Sequence, residues 1–273
     1  LRLLVMSATL NLQPLAEQLP EAGLLTSEGR AYPVAVSHQP PRERESLGRQ
    51  LVRALEGHWL DQRTEAETVL VFLPGQREIQ QCLQAISETP WGGDLELCPL
   101  HGNLPLAAQS RAISPARHGA GKVVLATAIA ESSLTIEGVT LVIDSGLSRR
   151  SRFDPQSGMD GLVTVAASLA SAEQRAGRAG RLGPGRCLRL WSPAEQQRRP
   201  SFDPPELLEI DPLPLALQLA AWGDPMGDDL DWLDPPPAAP LLEARDLLLQ
   251  LGAIDAKGTL LPHGQHLAQL GLH

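Results

Sequence analysis

Four short, mostly apolar runs limit the fold of this chain more than any other feature. Val69–Leu73, Leu95–Leu100, Val123–Ala126 and Val139–Ile143 are long enough for strands and too short for buried helices. Between the first two, Ile79, Cys82, Leu83 and Ile86 recur at the spacing of one helical face. Leu104–Ile113 reads as a second helix before the third run. Strands without polar alternation, joined by helices, predict an α/β fold with a doubly wound parallel sheet covered on both faces. Upstream, Leu1–Val5 reads as a buried strand, Ala31–Ser37 as an extended crossing segment, and Ser46–Trp59 as a helix.

The pattern then changes twice. Ser148–Val165 places a Pro/Gly-containing turn between two extended halves, which predicts a β-hairpin insertion projecting from the domain. Beyond about residue 200 prolines become dense. Leu213–Trp222 and Leu241–Leu251 read as helices, the second closed by Gly252. Ala253-Ile254 and Thr259–Leu261 then form a small hairpin, and another helix starts near Pro262. Helices with a short β-wing predict a small, mostly helical winged-helix domain.

Composition narrows the function. A 273-residue chain that is 42% hydrophobic can bury a sizeable core as one large domain or two small ones. No apolar run approaches the ~20 residues needed to span a bilayer, so no membrane partner is expected. Cys82, Cys98 and Cys187 are widely spaced and odd in number, which suits reduced, buried thiols of a cytoplasmic protein. His263 and His266 have no nearby cysteine or second pair, and no metal site is expected there. A start at Leu1, within an apolar run, suggests a piece cut from a longer protein. A net charge of −9 argues against a simple nucleic-acid coat. Basic residues nonetheless cluster at Arg149, Arg150 and Arg152, between Arg175 and Arg189, and at Arg198 and Arg199. With aromatics at only 3%, any grip on nucleic acid would rest mainly on the phosphate backbone.

The strongest chemical signal is the octapeptide Gln174-Arg175-Ala176-Gly177-Arg178-Ala179-Gly180-Arg181. In a helix, Gln174, Arg178 and Arg181 would share one face, with Arg175 turned about 100° away. Gly177 and Gly180 cost a helix roughly 1 kcal/mol each relative to alanine, so close approach to another surface is the reason to expect them. Guanidinium forks presented in this way suit the developing charge of phosphoryl transfer. A disordered arginine–glycine tract is the alternative, but this one occurs once, between apolar flanks.

A second signal lies where the strand ending at Ala126 runs into a turn with Thr127, Ser132, Ser133 and Thr135. Hydroxyls and free backbone N–H groups at a strand end suit phosphate oxygens, although simple helix capping by Ser132 or Ser133 also fits. Pro74-Gly75 and His101-Gly102-Asn103 are weaker turns, expected to line the same sheet edge as Thr127.

Ser7-Ala8-Thr9, the FLPGQREI run from Phe72, HGNLP from His101, LATAIAESSLTIEGV from Leu125 and QRAGRAGR from Gln174, in that order, resemble the motifs of the DEAH-box helicase family. The VIDSG strand end at Val142 and the RFDPQSG hairpin at Arg152 continue the match. WLDPPP at Trp232 and LLLQLGAID at Leu247 are similar to its bacterial HrpB-type members in particular. The resemblance covers essentially the whole chain. It implies the end of a first RecA-like lobe over 1–29, a second RecA-like lobe over 30–197, a winged-helix domain over 198–262 and the start of a helical domain over 263–273.

It also implies roles. Gln174 would position the attacking water, and Arg178 and Arg181 would act as arginine fingers on the γ-phosphate. Thr135 and Glu137 would touch the nucleotide. Gly75, Asn103, Thr127 and Ser132 would hold single-stranded RNA or DNA phosphates. Ser7 and Thr9 would couple hydrolysis to lobe movement, and the hairpin would act as a wedge where strands part. The family's Asn after the threonine is here Ala128, and its adenine-packing aromatic would fall at Ile113. No G-x-x-x-x-G-K-[ST] loop and no DEAH tetrapeptide occur, so the cofactor, ATP with Mg²⁺, would have its phosphate cradle and magnesium ligands in a missing first lobe. The competing reading is a non-catalytic nucleic-acid-binding module that retains the fold.

Overall fold

Thr68–Phe72 is buried at every position, so it can only be a central strand. The computed structural model describes residues 4–5, 12–25, 32–61, 67–116, 121–132 and 134–270. Along the chain these form α1 (Leu12–Gln18), β1 (Val34–His38), α2 (Leu47–Leu55), β2 (Thr68–Phe72), α3 (Gln76–Ser87), β3 (Leu95–Leu100), α4 (Leu106–Ile113) and β4 (Gly121–Ala126). There follow α5 (Ile129–Ser132), β5 (Val139–Asp144), β6 (Leu147–Asp154), β7 (Met159–Ala166), α6 (Leu169–Ala176), β8 (Gly185–Arg189) and α7 (Pro193–Gln197). The last helices are α8 (Pro212–Trp222), α9 (Ala238–Gln250) and α10 (Pro262–Leu270).

Six strands pair in the order β1-β8-β5-β2-β4-β3, every pairing parallel. Alternate residues of each strand feed opposite cores. Val69, Val71, Val123, Leu125, Leu141 and Ile143 pack with Leu51, Leu55 and Trp59 and with Ile79, Cys82 and Ile86 of α3. Leu70, Phe72, Val124, Ala126 and Val142 pack with Ala112, Ala130 and Ala176 from α4, α5 and α6. The sheet is therefore doubly wound, as its apolar runs predict.

Two strands correct the sequence reading. The segment taken as an extended crossing is the edge strand β1, and Gly185–Arg189 is a strand lying between it and β5. The helix over Ser46–Trp59 is capped by Ser46 but passes into a π-turn at Glu56–Leu60. The expected strand at Leu1–Val5 falls mostly outside the described residues; Leu4 and Val5 are exposed and outside any strand.

The chain divides into two compact units. One comprises Leu1–Thr9, Thr26–Arg150 and Thr164–Asp203; the other comprises Leu10–Leu25, Ser151–Val163 and Pro204–His273. The expected hairpin is present as β6 and β7, its base in the first unit and its tip in the second. In the second unit Ala216, Leu219, Leu241, Ala244, Leu248 and Ile254 form the core. Asp211 caps α8, accepting from the Leu213 N–H. The small hairpin near its end reduces to one antiparallel bridge, Ile254 to Leu260. Among the described residues no helix is long and apolar enough to cross a membrane.

Candidate functional site

Parallel strands put all their starts at one edge of the sheet and all their ends at the other, and the singled-out residues divide between the two. At the starts, the octapeptide is not a continuous α-helix. α6 ends at Ala176, and Gly177–Gly180 tightens into a 3₁₀ turn. In that geometry residues three apart eclipse one another, so Arg178 and Arg181 lie on one side. Gln174 stands one turn earlier on α6, half-buried.

The two glycines differ in purpose. A Cβ on Gly180 would lie 2.6 Å from the Tyr32 carbonyl oxygen and 2.8 Å from Val34 Cγ2. The Gly180 carbonyl in turn accepts from the Tyr32 N–H at 2.9 Å, so the expected close approach is to β1's leading segment. A Cβ on Gly177 would meet nothing within 4 Å, and close approach does not explain that residue.

Arg178 Nη1 donates to the Leu134 carbonyl at 3.2 Å, and Arg181 Nη1 to Thr135 Oγ1 at 2.7 Å. The Glu137 N–H donates to the Ile113 carbonyl at 3.4 Å, closing the loop before β5 onto the end of α4. Arg178, Arg181, Thr135, Glu137 and Ile113 are thus brought together. Burial, and then the neighbouring charge of Arg181, hold the Arg178 guanidinium below its usual pKa against the opposing pull of Glu131. Two cations placed so close, with most of their donors unspent among the described residues, favour an anion in front of them.

At the strand ends a staircase of backbone bonds aligns the turns. Leu73 N–H donates to Ala126 O, Thr127 N–H to Leu100 O, Ser145 N–H to Phe72 O and Leu190 N–H to Asp144 O. Gly75, Asn103 and Thr127 therefore line one edge, as expected. Gln76 Nε2 lies 3.2 Å from His101 Nδ1, joining the first two turns. Asn103 is exposed and Thr127 half-buried. Gly75 heads α3 with no side-chain cap, and a Cβ there would sit 2.5 Å from Nη1 of Arg149, which also pairs with Glu78. The space at this glycine is occupied by a guanidinium. Ser132 belongs to α5 by its backbone, its side chain lying outside the described set, as do Ser7 and Thr9 altogether.

The helicase conserved C-terminal domain model matches residues 49–183. The chain is 43% identical over 271 residues, 99% of its length, to the ATP-dependent RNA helicase HrpB of Escherichia coli K12, and spans 33% of that protein. It is 38% identical over 276 residues, 98% of its length, to the pre-mRNA-splicing factor ATP-dependent RNA helicase prp22 of Schizosaccharomyces pombe, and spans 23% of it. Of solved structures, the E. coli DEAH/RHA helicase HrpB superposes with a TM-score of 0.88 at 43% identity, over 98% of this chain and 34% of that one. A second, the E. coli DExH-box NTPase HrpB, gives 0.86 at 41%, over 98% and 32%. The chain thus carries the helicase conserved C-terminal domain and is similar over nearly its whole length to DEAH helicases of the HrpB type.

Its six-stranded sheet is accordingly the RecA-like fold of the helicase C-terminal domain. Within this lobe the sequence reading underrated one cluster. Arg175, 1% exposed, donates from Nε to Glu131 at 2.7 Å and from Nη1 to Asp144 at 2.8 Å and to the Leu147 carbonyl at 3.1 Å. Nη2 donates to Ser148 Oγ at 2.6 Å, and the flat guanidinium lies 5.2 Å from the Phe72 ring centre. Burial opposes the charge, but Asp144 and Glu131 outweigh it and raise the pKa. An aspartate ending the otherwise apolar run Val139–Ile143 was the available signal, because a carboxylate there needs a buried cation.

A cavity of about 600 Å³ in the second unit is lined by Pro204, Pro212, Pro236, Pro240 and Leu247, and its Arg152 is paired with Glu209. It offers little to a phosphate, and the arginine edge is the better candidate site.

Proposed function

We propose that the chain is part of an ATP-dependent nucleic-acid helicase, acting most directly on RNA, to which it contributes arginine fingers and half of a nucleic-acid channel. The placing of Arg178 and Arg181 beside Leu134 and Thr135 carries this reading, since a half-buried and an exposed guanidinium set side by side call for a polyphosphate. The residues suit the nucleotide: Arg178 and Arg181 would hold its γ-phosphate, Gln174 would orient the attacking water, and Thr135, Glu137 and Ile113 would form its wall. ATP supplies the phosphoryl-transfer chemistry when bound, with Mg²⁺ and the phosphate cradle in a lobe upstream. Gly75, Asn103, Thr127 and Ser132 would hold backbone phosphates, and Ser7 and Thr9 would couple the lobes.

The domain reading proposed is 1–29 for the end of the first lobe, 30–197 for the second, 198–262 for a winged-helix domain and 263–273 for the next helical domain. The grouping of α8, α9 and α10 around one bridge supports the winged-helix part. The grouping of Leu10–Leu25 with those helices has no account in it. A bacterial, cytoplasmic setting fits three free, buried cysteines, two of which burial pushes up to about 12.

Hydrolysis by the intact protein, with and without RNA, tests the proposal. Ile113 offers apolar contact but no ring face and no polar atom for a Watson–Crick edge. GTP, CTP and UTP are therefore expected to be used within about tenfold of ATP, a spread of about 1.4 kcal/mol. A hundredfold preference for ATP would remove Ile113 from the base site. Absence of RNA-stimulated hydrolysis with every nucleotide would sink the function itself.

RNA binding is expected to ignore sequence and to weaken steeply with salt, because the candidate contacts are hydroxyls and backbone donors at a sheet edge. Filter binding of unrelated single strands across a salt series checks this. A flat salt response or one strongly preferred sequence contradicts it.

A further inference from the structure

We propose that Arg175 is a positioning residue that ties the finger segment to the base of the hairpin through Ser148, so that nucleic acid held at the strand ends sets the placement of Arg178 and Arg181. The inference rests on the helicase reading above.

The argument begins with what burial of Arg175 requires. One guanidinium in the interior needs a carboxylate, and Asp144 with Glu131 already supply two. The hydrogen bond from Nη2 to Ser148 Oγ adds nothing to charge balance. Its effect is geometric: a charge-assisted bond, at 2.6 Å, between α6 and the second residue of β6. The adjacent Leu147 carbonyl accepts from Nη1, so both first residues of the hairpin hang on the same guanidinium.

Each end of this tie reaches a different site. Arg149, next to Ser148, lies against Gly75 and pairs with Glu78, at the edge where Gly75, Asn103 and Thr127 stand. Glu131, the guanidinium's other anchor, belongs to the short helix that follows Thr127. In the opposite direction Arg175 is one residue before the end of α6, which runs directly into the turn bearing Arg178. A shift of phosphate at the strand ends therefore moves Arg149 and Ser148, and with them the helix that aims the fingers. The link is a contiguous chain of bonds, each between named atoms.

The test compares Ser148→Ala and Ser148→Thr in the intact helicase that carries this chain. Three quantities are read: hydrolysis without RNA, hydrolysis at saturating RNA, and duplex separated per ATP consumed. Ser148→Ala removes only the hydroxyl, leaving both ion pairs. It is expected to keep RNA-free hydrolysis within about twofold while lowering duplex separated per ATP about fivefold, the scale of a coupling residue. Ser148→Thr keeps a hydroxyl and is expected to restore the ratio. An unchanged ratio in Ser148→Ala overturns the proposal. So does a loss of RNA-free hydrolysis in proportion to unwinding, which would make the contact a general support, or a failure of threonine to rescue. A parent protein that neither hydrolyses nucleotide nor separates strands overturns the helicase reading and this inference with it.

Discussion

Replacing Arg178 by alanine in the intact protein is expected to lower ATP turnover by about 10³-fold or more, the usual worth of a finger. Nucleotide affinity should fall far less, because the contact strengthens as charge develops in the transition state. Arg178→Lys is expected not to rescue, since an ammonium cannot reproduce the planar fork that holds the Leu134 carbonyl and would also have to hold a phosphate. Single-turnover hydrolysis beside equilibrium nucleotide binding separates the two effects. A variant with near-normal turnover and lost binding would move Arg178 from catalysis to ground-state recognition. The 3₁₀ turn predicts the same behaviour for Arg181, eclipsed with it.

Arg175→Met is expected to differ in having a large effect on stability. It leaves Asp144, fully buried, and Glu131, mostly so, without their cation. Breaking a buried pair from one side costs about 3–5 kcal/mol. For a domain of this size that lowers the thermal midpoint by roughly 10 °C. Replacing Arg175, Asp144 and Glu131 together by Met, Leu and Leu should recover most of the loss, because no charge is then stranded. A melting curve for Arg175→Met within about 2 °C of the parent would show that water reaches the site and that the network is not closed.

The contrast between these two arginines shows what the sequence could and could not convey. Helical spacing already turned Arg175 about 100° away from Gln174 and the face that it shares with Arg178 and Arg181. Spacing could not say what Arg175 faces. Its partners lie 31 and 44 residues away, on β5 and α5. Strands β2 to β5 were legible because burial on both faces keeps them mostly apolar, with at most one charged residue each. β8 was not, because it carries Arg186 and Arg189. Arg189 is 5% exposed, yet it pairs with Glu173 and lies over Trp191, neither visible as a partner in linear order. β1 is legible only as an extended segment: as an edge strand it is largely exposed, and its apolar run is just Val34-Ala35-Val36. Of the candidate site, the edge shared by Gly75, Asn103 and Thr127 follows from parallel strand topology alone. The meeting of Ile113 with Glu137 does not, because it depends on how two loops close.

Lys122 sits beneath that closure. It is fully buried in β4, and its ammonium donates to the Arg111 carbonyl at 2.8 Å and to the Ser114 carbonyl, gripping the end of α4 on either side of Ile113. Those carbonyls have no partner within the helix, so the lysine acts as a cap supplied from the sheet. The wall proposed for the base is thus held from below by a side chain that no ligand could touch. Variation at Lys122 would register as altered nucleotide use. A survey confined to the walls of the site would trace that change to Ile113 and overlook the residue that placed it.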